Sequence, residues 1–138
     1  MKESKTAKQA MSRGLVTLHP GMDVLEALRI LVEERLSGAP VVDQIGNLVG
    51  ILTERDCMQI ALGAGYHSED GGGVENFMTR SVVTVEANTP ITELAERFAT
   101  SNFRRLPVME KGRLIGIISR RDVLKQLEAA WQPDRHRI

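Results

Sequence analysis

The chain states one pattern twice, and that repetition limits its possible folds more than any other property. The segment Gly50-Ile51-Leu52-Thr53-Glu54-Arg55-Asp56 returns as Gly116-Ile117-Ile118-Ser119-Arg120-Arg121-Asp122. Met11 corresponds to Met78, Thr17 to Thr84, Glu26 to Glu93 and Pro40 to Pro107, each pair 67 positions apart. Beyond the following turn the spacing falls to 66, as in Gly46 with Gly112 and Asp56 with Asp122. One residue is therefore missing from the second turn, where Glu110-Lys111 stands against Asp43-Gln44-Ile45. A surface loop tolerates such a deletion. A single repeat of about 55 residues buries too little apolar surface to be secure alone. The expectation is a pseudo-twofold pair whose halves cover each other's sheet faces.

Each repeat reads as strand, helix, strand, strand, helix. In the first, 16–18 is a short strand and Asp23 an N-cap, with Glu26 placed for a capping box. Val24, Leu25, Leu28, Leu31 and Val32 fall on one predicted helical face. Strands follow at 39–42 and 48–52, then a helix from Glu54 to Leu62 with Gly63 as its C-terminal stop. In the second, 82–85 is a strand and Thr89-Pro90 starts a helix with the stripe Ile91, Leu94, Ala95 and Phe98. Strands at 106–109 and 114–118 precede a helix turning Val123, Leu124 and Leu127 inward. The domain plan is repeat 1 over 8–63, a glycine-rich acidic linker over 64–75, repeat 2 over 76–128 and a flexible tail over 129–138.

Composition excludes several classes. The 138 residues are 42% hydrophobic, ordinary for a globular protein, and no run approaches a membrane span. Residues 1–10 have no signal-peptide character. The single Cys57 leaves no intrachain disulfide and fits a reducing compartment, so a cytoplasmic location is expected. Residues 11–62 carry four basic and seven acidic side chains, whereas residues 78–128 carry nine and six. A small anion would prefer the second repeat. The formal net charge of zero, with no long basic stripe, disfavours nucleic acid. His19, His67 and His136 share no spacing with Cys57, so no metal is expected. Gly71-Gly72-Gly73 lacks the lysine of a phosphate loop. Trp131 reads as a hydrophobic clasp, and Met11 and Met78 as packing residues.

The chemistry-bearing pattern is Thr53-x-x-Asp56 and Ser119-x-x-Asp122. Helix capping alone would explain a hydroxyl residue and an acid at this spacing. Capping does not require Gly50 and Gly116, three positions earlier. Glycine inside a strand often marks close approach of a ligand or another backbone. A helix-start aspartate can also accept both hydroxyls of a ribose, with a hydroxyl side chain and free amides nearby for phosphate. Both readings stand on the sequence.

The Gly-h-h-Thr/Ser-x-x-Asp signature (h apolar), the upstream h-Pro-Val and the order of elements resemble the CBS domain, named for cystathionine β-synthase. The resemblance covers about residues 8–128 and is that of a stand-alone tandem pair, a Bateman module. It implies an α/β (α+β) fold of two pseudo-twofold-related β-α-β-β-α repeats packed through their sheets. It also implies two clefts for adenosine-containing ligands such as AMP, ADP, ATP, NAD or S-adenosylmethionine. Carried over, Asp56 and Asp122 are ribose ligands, with Thr53 and Ser119 as their hydroxyl neighbours. Val16, Thr17, Ala39 and Pro40, and Val83, Thr84, Leu106 and Pro107, line the adenine pockets. Arg104 and Arg105 precede the second proline, where family members often meet phosphate, although a solvated surface arginine reads equally well. Arg120 and Arg121 sit in a first helical turn, where cations oppose the helix dipole unless an anion is near. Unequal sites follow from these differences. The implied role is non-catalytic: a nucleotide sensor, homodimeric, acting on an unidentified regulated protein. A structural module with vestigial pockets is the alternative. No base, nucleophile or metal constellation supports an enzyme.

Overall fold

The computed structural model describes residues 5–63 and 72–131. Most of the expected linker (64–71), the tail from 132, His67 and His136 lie outside the described residues. The element order is α1 (Ala7–Ala10), α2 (Val24–Glu34), β1 (Gly38–Val42), β2 (Leu48–Thr53), α3 (Glu54–Ala61), a 3-10 turn (Val74–Asn76), β3 (Val85–Glu86), α4 (Ile91–Ala99), β4 (Arg105–Glu110), β5 (Arg113–Ser119) and α5 (Arg120–Trp131).

Two compact units form, and neither coincides with one repeat. The repeat-1 unit is Val16–Val82, and the repeat-2 unit joins Met1–Leu15 to Val83–Ile138. The residues leading into each repeat thus belong to the unit built on the other repeat. In the repeat-2 unit β3, β4 and β5 form a sheet, β3–β4 parallel and β4–β5 antiparallel, and Ser12 bridges to Ile117 at the far edge. In the repeat-1 unit β1 and β2 are antiparallel; Leu18 bridges Val41 on one side and Thr79 bridges Ile51 on the other. The two arrangements correspond position by position, down to the register shifts at Val41/Val42 and Val108/Met109. The expected first strands are shorter than the sequence suggests: only Leu18 pairs in repeat 1, and Val85–Glu86 in repeat 2.

The turns account for the missing residue. Lys111 and Gly112 both have positive φ, 52° and 79°. That is the two-residue turn whose twist suits a tight hairpin. The longer loop of repeat 1 is organised by Asp43, whose carboxylate accepts the amides of Asn47 (2.8 Å) and Ile45 (3.1 Å). The Asn47 amide leads in holding the Asp43 carboxyl below its usual range.

Each unit has its own core. Leu18, Val24, Leu31, Val41 and Leu52 pack with Val74 and Met78 in one. Val85, Leu94, Phe98, Val108 and Ile118 pack with Ala7 in the other. The α4 stripe is as expected, with Ile91, Leu94 and Phe98 buried. On α2 the buried line is Val24, Ala27 and Leu31, whereas Leu25 and Val32 are 44% and 68% exposed. Val24, Ala27 and Leu31 share one helical face, and Leu25 and Val32 lie roughly a quarter turn away from it. Asp23 caps α2 through the Leu25 amide at 2.8 Å; no reciprocal bond from Glu26 forms. Pro90, not Thr89, is the N-cap of α4, because the Thr89 carbonyl accepts the amide of Ala7. Leu124 (60% exposed) and Trp131 (72%) point outward, so neither the inward Leu124 nor the Trp131 clasp holds. Cys57 is buried, and burial pushes its thiol up, with Asp56 and Glu54 adding to the effect. Its protonated form is the inert one.

Candidate functional site

In both units a strand runs directly into a helix, and the junction is closed by the same reciprocal pair. Thr53 Oγ1 accepts the Asp56 amide at 3.2 Å, and Asp56 Oδ2 accepts the Thr53 amide at 2.9 Å. The second copy has Asp122 N–H to Ser119 Oγ at 3.1 Å and Ser119 N–H to Asp122 Oδ2 at 2.8 Å. Each is a full capping box, satisfying two helix-start amides. Half of each carboxylate is thereby committed to the fold. The other half differs. Thr79 Oγ1 lies 3.2 Å and 3.4 Å from the two carboxylate oxygens of Asp56 and donates to them. Asp122 Oδ1 has no such partner among the described residues.

The sheet brings the remaining expected residues to the same end. Leu18 bridges Val41 in parallel and its amide donates to the Pro40 carbonyl, so Thr17 leads into β1's edge beside the Ala39-Pro40 segment. Gly38 pairs with Thr53, which sets the Thr53-Asp56 junction at the start of β1. The second unit repeats this: Val85 pairs with Val108, placing Thr84 by Pro107, and Arg105 pairs with Ser119. Ala39, Pro40, Leu106 and Pro107 are buried, while Thr17 and Val83 are exposed. Each expected residue set lies wholly within one unit.

The cations divide into two kinds. Arg120 Nε donates to the Phe103 carbonyl at 2.8 Å, and its amide donates to that of Arg104. Its guanidinium clamps the preceding loop, which explains its place in the first turn of α5 without an anion. Arg104, Arg105 and Arg121 are exposed, and their side chains have no partner among the described residues. The matching positions in repeat 1 are Ser37, Gly38 and Arg55. A β-carbon at Gly38 would meet the Leu52 carbonyl oxygen at 3.0 Å and the Thr53 methyl at 3.4 Å. Ser119, facing Arg105, has no methyl there.

The strand glycines have a structural reason. A β-carbon at Gly50 would sit 2.6 Å from Met78 Sδ and 2.9 Å from the Thr79 carbonyl oxygen. One at Gly116 would press on the Met11 side chain and lie 2.8 Å from the Ser12 carbonyl oxygen. What approaches each glycine is the leading segment. Sequence reasoning stopped at the two methionines and missed the next residues, Ser12 and Thr79, although both carry a hydroxyl at the repeat spacing. Among the described residues no cluster of His, Cys, Asp and Glu is placed to hold a metal, and no helix is long and apolar enough to cross a membrane.

The CBS domain family matches the chain twice, over residues 7–63 and 74–129. A CBS domain-containing protein of Dictyostelium discoideum is 34% identical over 136 residues, covering 91% of this chain and 93% of that one. The crystal structure of CBSX2 in complex with AMP superposes with a TM-score of 0.79 at 32% identity, covering 95% of this chain and 99% of that one. The CBS domain pair of protein MJ0100, in complex with 5-methylthioadenosine and S-adenosyl-L-methionine, gives 0.74 at 26% identity over 93% and 99%. The chain spans only 45% of the length of an uncharacterized Methanocaldococcus jannaschii relative. From the doubled family match and the agreement of fold, the chain belongs to the CBS-domain family, carrying the domain twice.

Proposed function

We propose that the protein is a non-catalytic regulatory module that binds an adenosine-containing ligand and signals its presence to a partner protein. The observation that carries this reading is the Ser119-Asp122 junction. One carboxylate oxygen there is unpartnered among the described residues, and three guanidiniums stand unpaired in the adjoining segments. A carboxylate at that place suits the hydroxyls of a ribose, and an arginine fork suits phosphate. The AMP and S-adenosyl-L-methionine complexes of similar proteins support the same ligand class. Asp56 and Asp122 are the ribose ligands, with Thr53 and Ser119 beside them. Arg104, Arg105 and Arg121 meet phosphate at the second site, and Arg120 contributes by holding the loop that carries them. Val16, Thr17, Ala39 and Pro40, with Val83, Thr84, Leu106 and Pro107, face the base. A ligand that prefers one arrangement of the module shifts it by its difference in affinity, which a partner can read. The working form is a cytoplasmic homodimer.

Titration calorimetry with AMP, ADP, ATP, NAD and S-adenosylmethionine tests the proposal. Saturable binding is expected, with nucleotide affinity concentrated at Asp122 and lost in Asp122→Ala, which keeps its circular dichroism spectrum. Arg104→Ala/Arg105→Ala should weaken ATP about tenfold, the effect of roughly one charge-assisted contact, and leave adenosine unchanged. The two capping boxes and the methionine-filled glycines would also occur in a purely structural module. A folded, nucleotide-free chain that takes up none of these ligands establishes that second reading.

A further inference from the structure

Resting on the nucleotide-binding reading, the asymmetry between the two carboxylates assigns a role to the residue that follows each leading methionine. Ser12 and Thr79 are 67 positions apart, in register with the repeat. Their backbones do the same thing. Ser12 exchanges hydrogen bonds with Ile117 at 2.9 and 3.1 Å, and Thr79 with Ile51 at 2.9 and 2.8 Å. Their hydroxyls do not. Thr79 Oγ1 donates to the Asp56 carboxylate, whereas Ser12 makes no hydrogen bond to Asp122. The chemical difference is one methyl group. Branching at the β-carbon restricts χ1 to fewer rotamers, while serine turns more freely. The methyl thus narrows the choices open to the Thr79 hydroxyl, and the one it adopts faces Asp56.

We infer that Thr79 is a specificity-determining residue that competes internally for Asp56. Its hydroxyl occupies the lone pairs that a ribose diol would use, so a ligand at Asp56 must displace it. Asp122 carries no such competitor and is the readier site. The choice between Thr and Ser at this position sets the order in which the two carboxylates fill.

The test uses the full chain as Thr79→Val and as Ser12→Thr, each alone and each combined with Asp56→Ala or Asp122→Ala to assign the sites. Valine keeps the branched shape and removes the hydroxyl. Calorimetry with AMP should show Thr79→Val tightening the Asp56 site about fivefold, the size of one modest hydrogen bond. Ser12→Thr should weaken the Asp122 site by a similar factor. The gain in Thr79→Val must need the diol, so 2′,3′-dideoxy-AMP should bind Thr79→Val and the parent alike. Unchanged or weaker AMP binding in Thr79→Val overturns the competitor role while leaving the ligand-binding reading intact. Absence of AMP binding in every form overturns both.

Discussion

Removal of residues 1–14 is expected to strip protection from the repeat-2 unit while β1 and β2 of the repeat-1 unit stay folded. The intuitive outcome is the reverse, because those residues lie at the repeat-1 end of the sequence. The segment supplies the fully buried Ala7 to the core around Val85, Leu94 and Ile118. It also carries hydrogen bonds from Ala7 to Thr89, Lys8 to Ala87 and Ile91 to Lys5, and both bonds between Ser12 and Ile117. The Lys8–Glu110 ion pair is 3.1 Å long but exposed, so it adds little. At about 1 kcal/mol net for each backbone bond, plus the burial of Ala7 and Met11, the loss is on the order of 5 kcal/mol. That is comparable with the whole stability of many small domains. Hydrogen exchange read amide by amide decides the matter. Deprotection should concentrate in α4, β4 and β5. Full protection at Ile117 in the shortened chain would show that the segment is dispensable.

Gly116→Val and Gly50→Val should each cost about 3 kcal/mol through overpacking against a side chain and a carbonyl. The flexible Met11 or Met78 side chain can retreat from a new β-carbon. The Ser12 and Thr79 carbonyls cannot, since their residues are tied into the sheet edge. Pairing Gly116→Val with Met11→Ala should therefore restore only part of the loss. Urea denaturation of the single and double variants measures this directly. A Gly116→Val midpoint matching the parent would mean that the segment is not seated on the strand in solution.

The parts of the fold legible in the sequence are those fixed by local rules. Short apolar runs either side of turn residues mark the hairpins, the capping pattern marks α3 and α5, and the repeat spacing ties them into two copies. The glycines were also visible, but not what fills the space above them, because Met11 and Gly116 are far apart in the chain. For the same reason the sequence alone assigns no role to the hydroxyls of Ser12 and Thr79: each segment seats on a strand in the other repeat. On α2 the largest side chains suggest a stripe that includes Leu25 and Val32, whereas the buried line runs through Val24, Ala27 and Leu31. Arg120 looked like an anion ligand because its helix position is unfavourable; the loop carbonyls that compensate lie at Ser101 and Phe103.

The crossing of the leading segments fixes an order of events on the ribosome. Every residue of the repeat-1 unit has been synthesised once Val82 is made, and its edge contact spans only positions 51 to 79. The other unit closes between positions 12 and 117, which are 105 apart. At roughly 5–20 residues per second, the stretch from Val82 to the end of α5 takes about 2–10 s to appear. Throughout that interval Ala7 and Met11 have no seat, while the middle of the chain is free to fold. Nascent chains halted once Val82 has cleared the ribosomal exit tunnel should resist protease over 16–63 and 72–82 and be cut near residue 12. The first residues translated are thus among the last to find their place, and an N-terminal extension would be carried on the part of the molecule that folds latest.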